Sequence, residues 1–175
     1  MYRSICSLLL SVWLLVGCMH SDIPVPEVQR SEQIAELLNT LGSDIPREEV
    51  QRLSEDILYR AVQLEHAFGR TTSPWIHNFM INVGLKKKGL CYHYADGLYT
   101  YLKERSYPHF DFHLVGAHIG EYWREHNALL VTARNGMLEE GVIIDPWRVQ
   151  GKVFVSKMKE DKAYRWVHRP ERECR

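Results

Sequence analysis

The chain has 175 residues, of which 45% are hydrophobic, and its formal net charge at pH 7 is zero. A balanced charge gives no electrostatic basis for binding nucleic acid. The length fits one domain with a sizeable core, and four cysteines are too few for a disulfide-rich scaffold.

The chain begins with the features of an export signal. Arg3 is followed by an apolar stretch at residues 8–16 and by the small residue Gly17, which is the order of regions in a secretory signal peptide. The apolar stretch is shorter than the ~20 residues that a membrane-spanning helix needs. We therefore predict that residues 1–17 are a cleaved signal peptide.

The sequence LVGC at residues 15–18 resembles a bacterial lipobox. This resemblance implies that Cys18 is lipidated and becomes the first residue of the mature protein, and two or three acyl chains anchor a protein stably. An ordinary signal peptide that happens to contain a cysteine is the alternative. Met19 stands where lipoproteins retained in the inner membrane commonly carry aspartate, so the resemblance points to the outer membrane, with the protein facing the periplasm.

Residues 18–30 contain two prolines and are predicted to tether the lipid to a folded domain at residues 31–175. The first helix of that domain is expected to begin at Ser31 and to end near Gly42.

Two more helices are predicted to follow. Pro46 marks the start of an amphipathic helix that ends before Gly69, and Ser73 is a suitable N-cap for a helix with Pro74 at its first position. The apolar residues of this third helix are expected to be buried; they are Trp75, Phe79, Ile81 and Val83.

A cysteine stands where a glycine-bearing loop is predicted to turn into a fourth helix. Gly89 allows the sharp turn, Cys91 lies in the first helical turn, and apolar residues recur behind it at helical spacing. The N-terminal end of a helix favours negative charge, so this position favours a thiolate. His93 lies about 200° around the helix from Cys91 and is a poor base for that thiol.

After this helix the hydrophobic pattern changes to the period of two that is typical of strands. Strands are predicted around residues 110–115 and at residues 126–133, 141–145 and 152–155. The predicted fold class is therefore α+β, with N-terminal helices, including the cysteine helix, packed on an antiparallel sheet.

The predicted hairpin between the second and third strands brings two polar residues together. Asn135 and Gly136 are the pair favoured in a two-residue type I′ turn. If this turn sets the register, His126 and Asp145 lie directly opposite each other, with Cβ atoms about 4.5–5.5 Å apart. The carboxylate would then orient the imidazole, whose other nitrogen could take a proton from a thiol. Residues 137–140 are polar enough at their end to belong to a longer loop instead. A bulge that shifted the register by one would turn the two side chains to opposite faces.

Three motifs in this order resemble the transglutaminase-like superfamily of papain-related folds: GLCYHYA at residues 89–95, His126 at the start of a strand, and IIDP at residues 143–146. The resemblance covers roughly residues 74–148. It implies a papain-like or transglutaminase-like fold in which Cys91 is the nucleophile, His126 the general base and acid, and Asp145 the orienting carboxylate. One departure is Asn127, followed by Ala128, where many members have a small residue and then tryptophan.

A Cys-His-Asp triad suits acyl transfer from an amide. Thiolate attack gives a tetrahedral oxyanion, its collapse gives a thioester, and water or an amine completes turnover. The backbone N–H of Cys91 can donate one hydrogen bond to the oxyanion, and a second donor is expected from Trp75, His77 or Asn78. Hydrolysis and amine transfer are both open, because the outcome depends on whether the cleft excludes water.

No metal ion or cofactor is predicted. His109, Asp111 and His113 alternate on one predicted strand, with His118 further on, but no Cys or Glu completes a recognisable ligand spacing.

The favoured function is a membrane-anchored thiol enzyme, either a cysteine peptidase or amidase or an acyltransferase. Its expected substrate is a peptide or protein, with cell-wall peptide among the candidates. Two alternatives stay open: a catalytically inactive transglutaminase-like lipoprotein that binds a periplasmic partner, and a disulfide between Cys91 and Cys174.

Overall fold

A computed structural model of the chain describes residues 27–69, 73–149 and 152–173. The predicted signal peptide, the predicted lipidation site Cys18 and the rest of the tether before residue 27 lie outside these residues, as does Cys174. None of the helices in the described residues is long and apolar enough to cross a membrane.

Within the described residues, four helices precede the sheet. They are α1 (Glu27–Leu38), which continues into a 3-10 turn (Asn39–Leu41), α2 (Arg47–Phe68), α3 (Pro74–Asn82) and α4 (Cys91–Lys103). The predicted starts of α2, α3 and α4 are confirmed. The start of α1 at Ser31 was wrong: residues 27–30 contain no helix breaker and extend the helix backwards to Glu27.

The expected burial of the apolar residues of α3 was wrong in part. Phe79 and Val83 are 60% and 51% exposed, whereas the polar His77 is fully buried. The reason is that α3 lies along a cleft, described below, rather than over the core. The side chain of Trp75 lies outside what the structure describes.

The part of the chain that the structure describes has five strands, which form one antiparallel sheet. They are β1 (Phe110–Ala117), β2 (His126–Ala133), β3 (Val142–Val149), β4 (Lys152–Lys157) and β5 (Val167–His168), in the order β4-β3-β2-β1-β5. The α+β class, with helices packed on an antiparallel sheet, is therefore confirmed. The two-residue strand β5 and the short helix α5 (Pro170–Glu173) were not predicted, because elements of this length carry no periodic signal.

The connection between β2 and β3 is not the predicted two-residue turn. Residues 134–141 join the strands and include a 3-10 turn at Leu138–Glu140. Asn135 has the positive φ of 57° that a type I′ turn needs, but Gly136 is not in the positive-φ region. The Asn-Gly pair did not reveal this longer loop, for which the polar end of residues 137–140 was the sequence signal.

The observed register differs from the predicted one by two residues: Leu129 pairs with Ile144, whereas the predicted turn would pair it with Val142. A shift of two keeps every side chain on its predicted face, whereas a shift of one would have reversed them. His126 and Asp145 therefore still share a face, as diagonal rather than directly opposed neighbours.

Both faces of the sheet are covered. The main core lies between the helices and one face, and includes Leu53, Ile57, Leu98, Leu129 and Ile144. A smaller cluster on the other face consists of Val115, Ala117, Ala128, Leu130, Ile143 and Trp166. Since α4 packs on β2, the first residue of the helix comes close to the first residues of the strand.

Candidate active site

Cys91 is a free cysteine at the first position of α4, and only 7% of it is exposed. Its Sγ donates a hydrogen bond to the Glu125 backbone oxygen at 3.8 Å and accepts one from Asn127 Nδ2 at 3.9 Å. The first N–H groups of a helix have no acceptor within the helix. The sulfur thus lies at the N-terminal end of a helix, which favours negative charge.

Two histidines hold the loop that leads into Cys91. His77 Nε2 lies 3.0 Å from the Lys88 oxygen, and because a carbonyl can only accept, this nitrogen carries the proton. Gly89 has a φ of +113°, and a Cβ on it would lie 2.2 Å from His77 Nε2. His93 Nδ1 accepts the N–H groups of Gly89 and Leu90 at 3.2 and 3.1 Å.

These contacts give His93 and His77 structural roles. His93 uses Nδ1 to cap its own helix, and its pKa is lowered by burial and then by the charge of Lys88, as suits a neutral acceptor. His77 supports the loop before Cys91 through its bond to the Lys88 oxygen. Its Nδ1 is buried without a partner among the described residues. It is therefore not placed to bind an oxyanion.

His126 and Asp145 meet in the interior, where they are 2% and 1% exposed. His126 Nε2 and Asp145 Oδ2 are 2.6 Å apart, so the proton lies on Nε2 and the imidazole donates it to the carboxylate. Burial alone would raise the pKa of Asp145, but the charges and hydrogen bonds of His126 and Arg148 lower it below its ordinary value. A charged carboxylate therefore fixes the orientation of the ring.

The second nitrogen of His126 is available for proton transfer. Nδ1 is buried and makes no hydrogen bond of normal geometry within the described residues. Burial lowers the pKa of His126, but Asp145 and then the neighbouring sulfur of Cys91 outweigh it and raise the pKa to about 9. The arrangement is an imidazole with its Nε2 on a carboxylate and a thiol near its other nitrogen.

A buried network supports the carboxylate. Asp145 Oδ1 accepts the N–H groups of Trp147 and Arg148 at 3.1 and 3.2 Å, and Arg148 Nε donates to Oδ2 at 3.0 Å. The other guanidinium nitrogens of Arg148 bind Asp161 at 3.1 and 2.7 Å. Asp161 in turn accepts from Trp166 Nε1 at 3.0 Å. The tail of the chain, residues 161–173, therefore positions the guanidinium of Arg148, which in turn positions the carboxylate of Asp145.

Aromatic rings enclose the imidazole of His126. The ring centroids of Tyr164, Trp147 and Trp166 lie 4.6, 4.9 and 5.4 Å from it. These residues and the Arg148–Asp161 pair were not predicted from the sequence. The only signal was the aromatic composition of residues 164–166, which does not by itself reveal what the rings surround.

A second hydrogen-bond network connects Arg172, near the C-terminus, to Cys91. Arg172 donates to Asn127 Oδ1 at 2.9 Å, which turns the amide Nδ2 of Asn127 towards the sulfur. The same guanidinium binds both oxygens of Asp96 on α4, at 2.7 and 2.8 Å. Asn127 therefore contacts the sulfur itself.

Two cavities flank the thiol and imidazole. One of about 460 Å³ is lined by His126, and one of about 380 Å³ is lined by Cys91. Asn78, Trp123 and Glu125 line both cavities, so we describe them as two parts of one cleft.

The rim of the cleft exposes apolar rings, with Phe79, Tyr122 and Trp123 60%, 75% and 64% exposed. Of the three oxyanion candidates, Asn78 alone is seen to line the cleft, and its Oδ1 is buried without a hydrogen-bond partner among the described residues. Asn78 therefore stays a predicted oxyanion donor.

Comparison of this chain with protein-family models, with curated proteins and with solved structures found no match.

Proposed function

We propose that this protein is a thiol enzyme of transglutaminase-like type, with a papain-related fold, that cleaves or transfers an amide of a peptide or protein. Cys91 would be the nucleophile, His126 the general base and acid, and Asp145 the orienting carboxylate. The observation that carries the proposal is the His126 ring, because its Nε2 binds a buried carboxylate while its unpaired Nδ1 lies near a helix-terminal thiol.

In the proposed reaction the proton of Cys91 already resides on His126 Nδ1, and the thiolate attacks the amide carbon. The carbonyl oxygen becomes an oxyanion that accepts from the Cys91 N–H and the Asn78 side chain. The C–N bond then breaks as the imidazolium gives its proton to the leaving amine, which leaves a thioester on Cys91. Water or a second amine attacks the thioester, loses a proton to His126 and releases the thiol.

The cleft favours an extended substrate such as a peptide. Its two parts lie on the Cys91 side and the His126 side of the reacting atoms, so residues on both sides of a scissile amide could be bound. Exposed aromatic rings at the rim provide apolar contact area for a chain, including the peptide of a cell wall.

The enzyme proposal is tested with purified wild-type protein, Cys91→Ala, and Cys174→Ser as the matched control that removes the other cysteine of residues 31–175. Each is incubated with a peptide library and with cell-envelope extract, and cleaved or cross-linked products are identified by mass spectrometry. We expect products from wild type and Cys174→Ser only. Equal product patterns for wild type and Cys91→Ala would refute the proposal.

We further propose that Cys18 carries the lipid that anchors the enzyme to the outer membrane, facing the periplasm. The support is the lipobox at residues 15–18 with the preceding apolar stretch. Cys18→Ser is expected to move the protein from the membrane fraction to the soluble fraction. Continued membrane association of this variant would show that the lipobox interpretation is wrong.

One observation favours the second candidate, a binding module without catalysis. The Cys91 thiol is 7% exposed and donates to the Glu125 backbone oxygen rather than to His126. For this candidate, peptides would bind in the cleft equally well with wild type and Cys91→Ala, and neither protein would form products.

A further inference from the structure

We propose that β1 and the C-terminal segment, residues 167–173, form a binding site for a divalent transition-metal ion of the zinc class, with His113, His168 and Glu173 as ligands. One ligand atom from each of these residues lies within 4.8 Å of the other two. The site is separate from the residues of the proposed triad.

Strand pairing brings the two histidines together. His168 on β5 pairs with Val115 on β1, and His113 lies two residues before Val115 on the same face of the sheet. The two histidines are therefore diagonal neighbours, and their rings meet edge to face at a centroid distance of 5.2 Å. The short helix α5 then returns the chain so that Glu173 reaches both.

The distances fit a tetrahedral ion after small side-chain movements. Glu173 Oε1 lies 2.8 Å from His168 Nε2 and 3.9 Å from His113 Nδ1. Ligands bonded to zinc at 2.0–2.2 Å in a tetrahedron are about 3.3 Å apart, a value between these two distances. Two imidazoles and one carboxylate suit zinc, copper or nickel better than calcium or magnesium.

Neighbouring groups orient the ligands as they do around bound metals. His113 Nε2 lies 3.3 Å from Thr132 Oγ1, which leaves Nδ1 directed to the site. The Leu114 N–H donates to Glu173 Oε1 at 2.8 Å, which fixes the carboxylate beside the two histidines. The three side chains are 18–29% exposed, which leaves room for water as a fourth ligand.

His109 and Asp111, which alternate with His113 along the predicted strand, do not assemble with it. His109 binds Glu49 at 2.6 Å, and Asp111 binds Arg134 at 2.9 Å. The ligand set was missed because two of its members come from β5 and α5, which the sequence did not predict.

A metal ion here would fasten the C-terminal segment to β1. Glu173 is adjacent to Arg172, whose guanidinium holds Asn127 against the sulfur of Cys91. The ion would therefore stabilise the surroundings of the thiol without touching the reacting atoms.

The test is a cobalt titration of the full chain carrying Cys91→Ala and Cys174→Ser, so that those thiols cannot bind the ion. Visible absorption reports Co²⁺ binding, and displacement by Zn²⁺ gives the zinc affinity. The same chain is prepared with His168→Ala, with Glu173→Gln, which keeps an acceptor for the Leu114 N–H, and with His66→Ala, an exposed histidine on α2, as the control.

We expect one ion per chain in the parent and the His66→Ala control, and a loss of affinity larger than the 10–100-fold typical of outer-shell changes in the other two variants. Zn²⁺ should also raise the melting temperature of the parent but not of Glu173→Gln. Absence of stoichiometric binding, or unchanged affinity in both variants, would overturn the proposal. Circular dichroism checks the fold, and Glu173→Gln decides the question if His168→Ala does not fold.

Discussion

The two ring nitrogens of His126 meet different surroundings. Nε2 donates to a buried carboxylate at 2.6 Å, whereas Nδ1 has no hydrogen bond of normal geometry among the described residues. Asp145 and Cys91 raise the pKa of this histidine to about 9 in spite of its burial. The ring is therefore protonated on both nitrogens at neutral pH.

This pKa predicts how stability depends on pH. Because the pKa of His126 is raised from 6.5 to about 9, protonation stabilises the fold fully below pH 6.5, and this contribution is lost as pH rises through about 9. Its size is roughly 3 kcal/mol. Urea unfolding of wild type and His126→Gln at pH 6, 8 and 10 measures it. A difference between the two proteins that does not change with pH would contradict the prediction.

Arg148 joins two buried carboxylates, and its loss would leave Asp161 without a cation and Asp145 with His126 alone. Arg148→Met is expected to lower the free energy of unfolding by about 3 kcal/mol, since Asp145 and Asp161 are 1% and 2% exposed. Arg134→Met is the matched control, because the Arg134–Asp111 pair is largely exposed and should contribute less than about 1 kcal/mol. Equal decreases in the free energy of unfolding for the two variants, measured in urea, would show that the buried network contributes no more than the Arg134–Asp111 pair.

Among the elements, the junction between the loop and α4 decides where the thiol lies. Gly89 and Gly84 both have positive φ, but a Cβ on Gly89 would lie 2.2 Å from His77 Nε2, whereas Gly84 has nothing within 4 Å of such an atom. The two glycines thus form a matched pair for separating backbone strain from steric contact.

Gly89→Ala is expected to destabilise the protein by about 1–3 kcal/mol more than Gly84→Ala, and to slow the alkylation of Cys91, because His77 and the loop must move apart. Adding His77→Ala should recover part of the difference, since it removes the clashing ring. Urea unfolding and iodoacetamide labelling measure both effects. Identical behaviour of the two alanine variants would mean that His77 does not fix this loop.

At the scale of the elements, much of the fold could be predicted. The limits of β2 and the starts of α2, α3 and α4 follow from period, proline and capping signals. The register of β2 and β3 was wrong by two residues because the connecting loop is longer than its Asn-Gly pair suggested. Because the shift is an even number of residues, each side chain stays on its predicted face of the sheet, so His126 and Asp145 still meet.

In the whole molecule, the parts of the site come from distant regions of the chain. The helix supplies the thiol, the sheet supplies the imidazole and carboxylate, and the tail supplies Asp161 and Arg172. No local pattern marked these tail residues, because their partners are defined only by tertiary packing. The same holds for His168 and Glu173.

The tail is expected to contribute to stability through Arg172. Arg172→Met removes charged hydrogen bonds to Asn127 and Asp96 and should cost roughly 1–2 kcal/mol, discounted because Asp96 is 40% exposed. Limited proteolysis should also cleave the C-terminal segment faster. Arg165→Met, an exposed change in the same tail, is the control. Unchanged stability and cleavage rate in Arg172→Met would contradict this role.

The most direct test of the central claim is the rate of Cys91 alkylation by iodoacetamide as a function of pH, in wild type and in His126→Ala. If the imidazole holds a thiolate beside it, the wild type will react rapidly below pH 7 at a rate that stays level up to about pH 9. The variant, like an unfolded chain, will lose about tenfold in rate with each pH unit below the ordinary thiol range. The same pH dependence in both proteins would contradict the account.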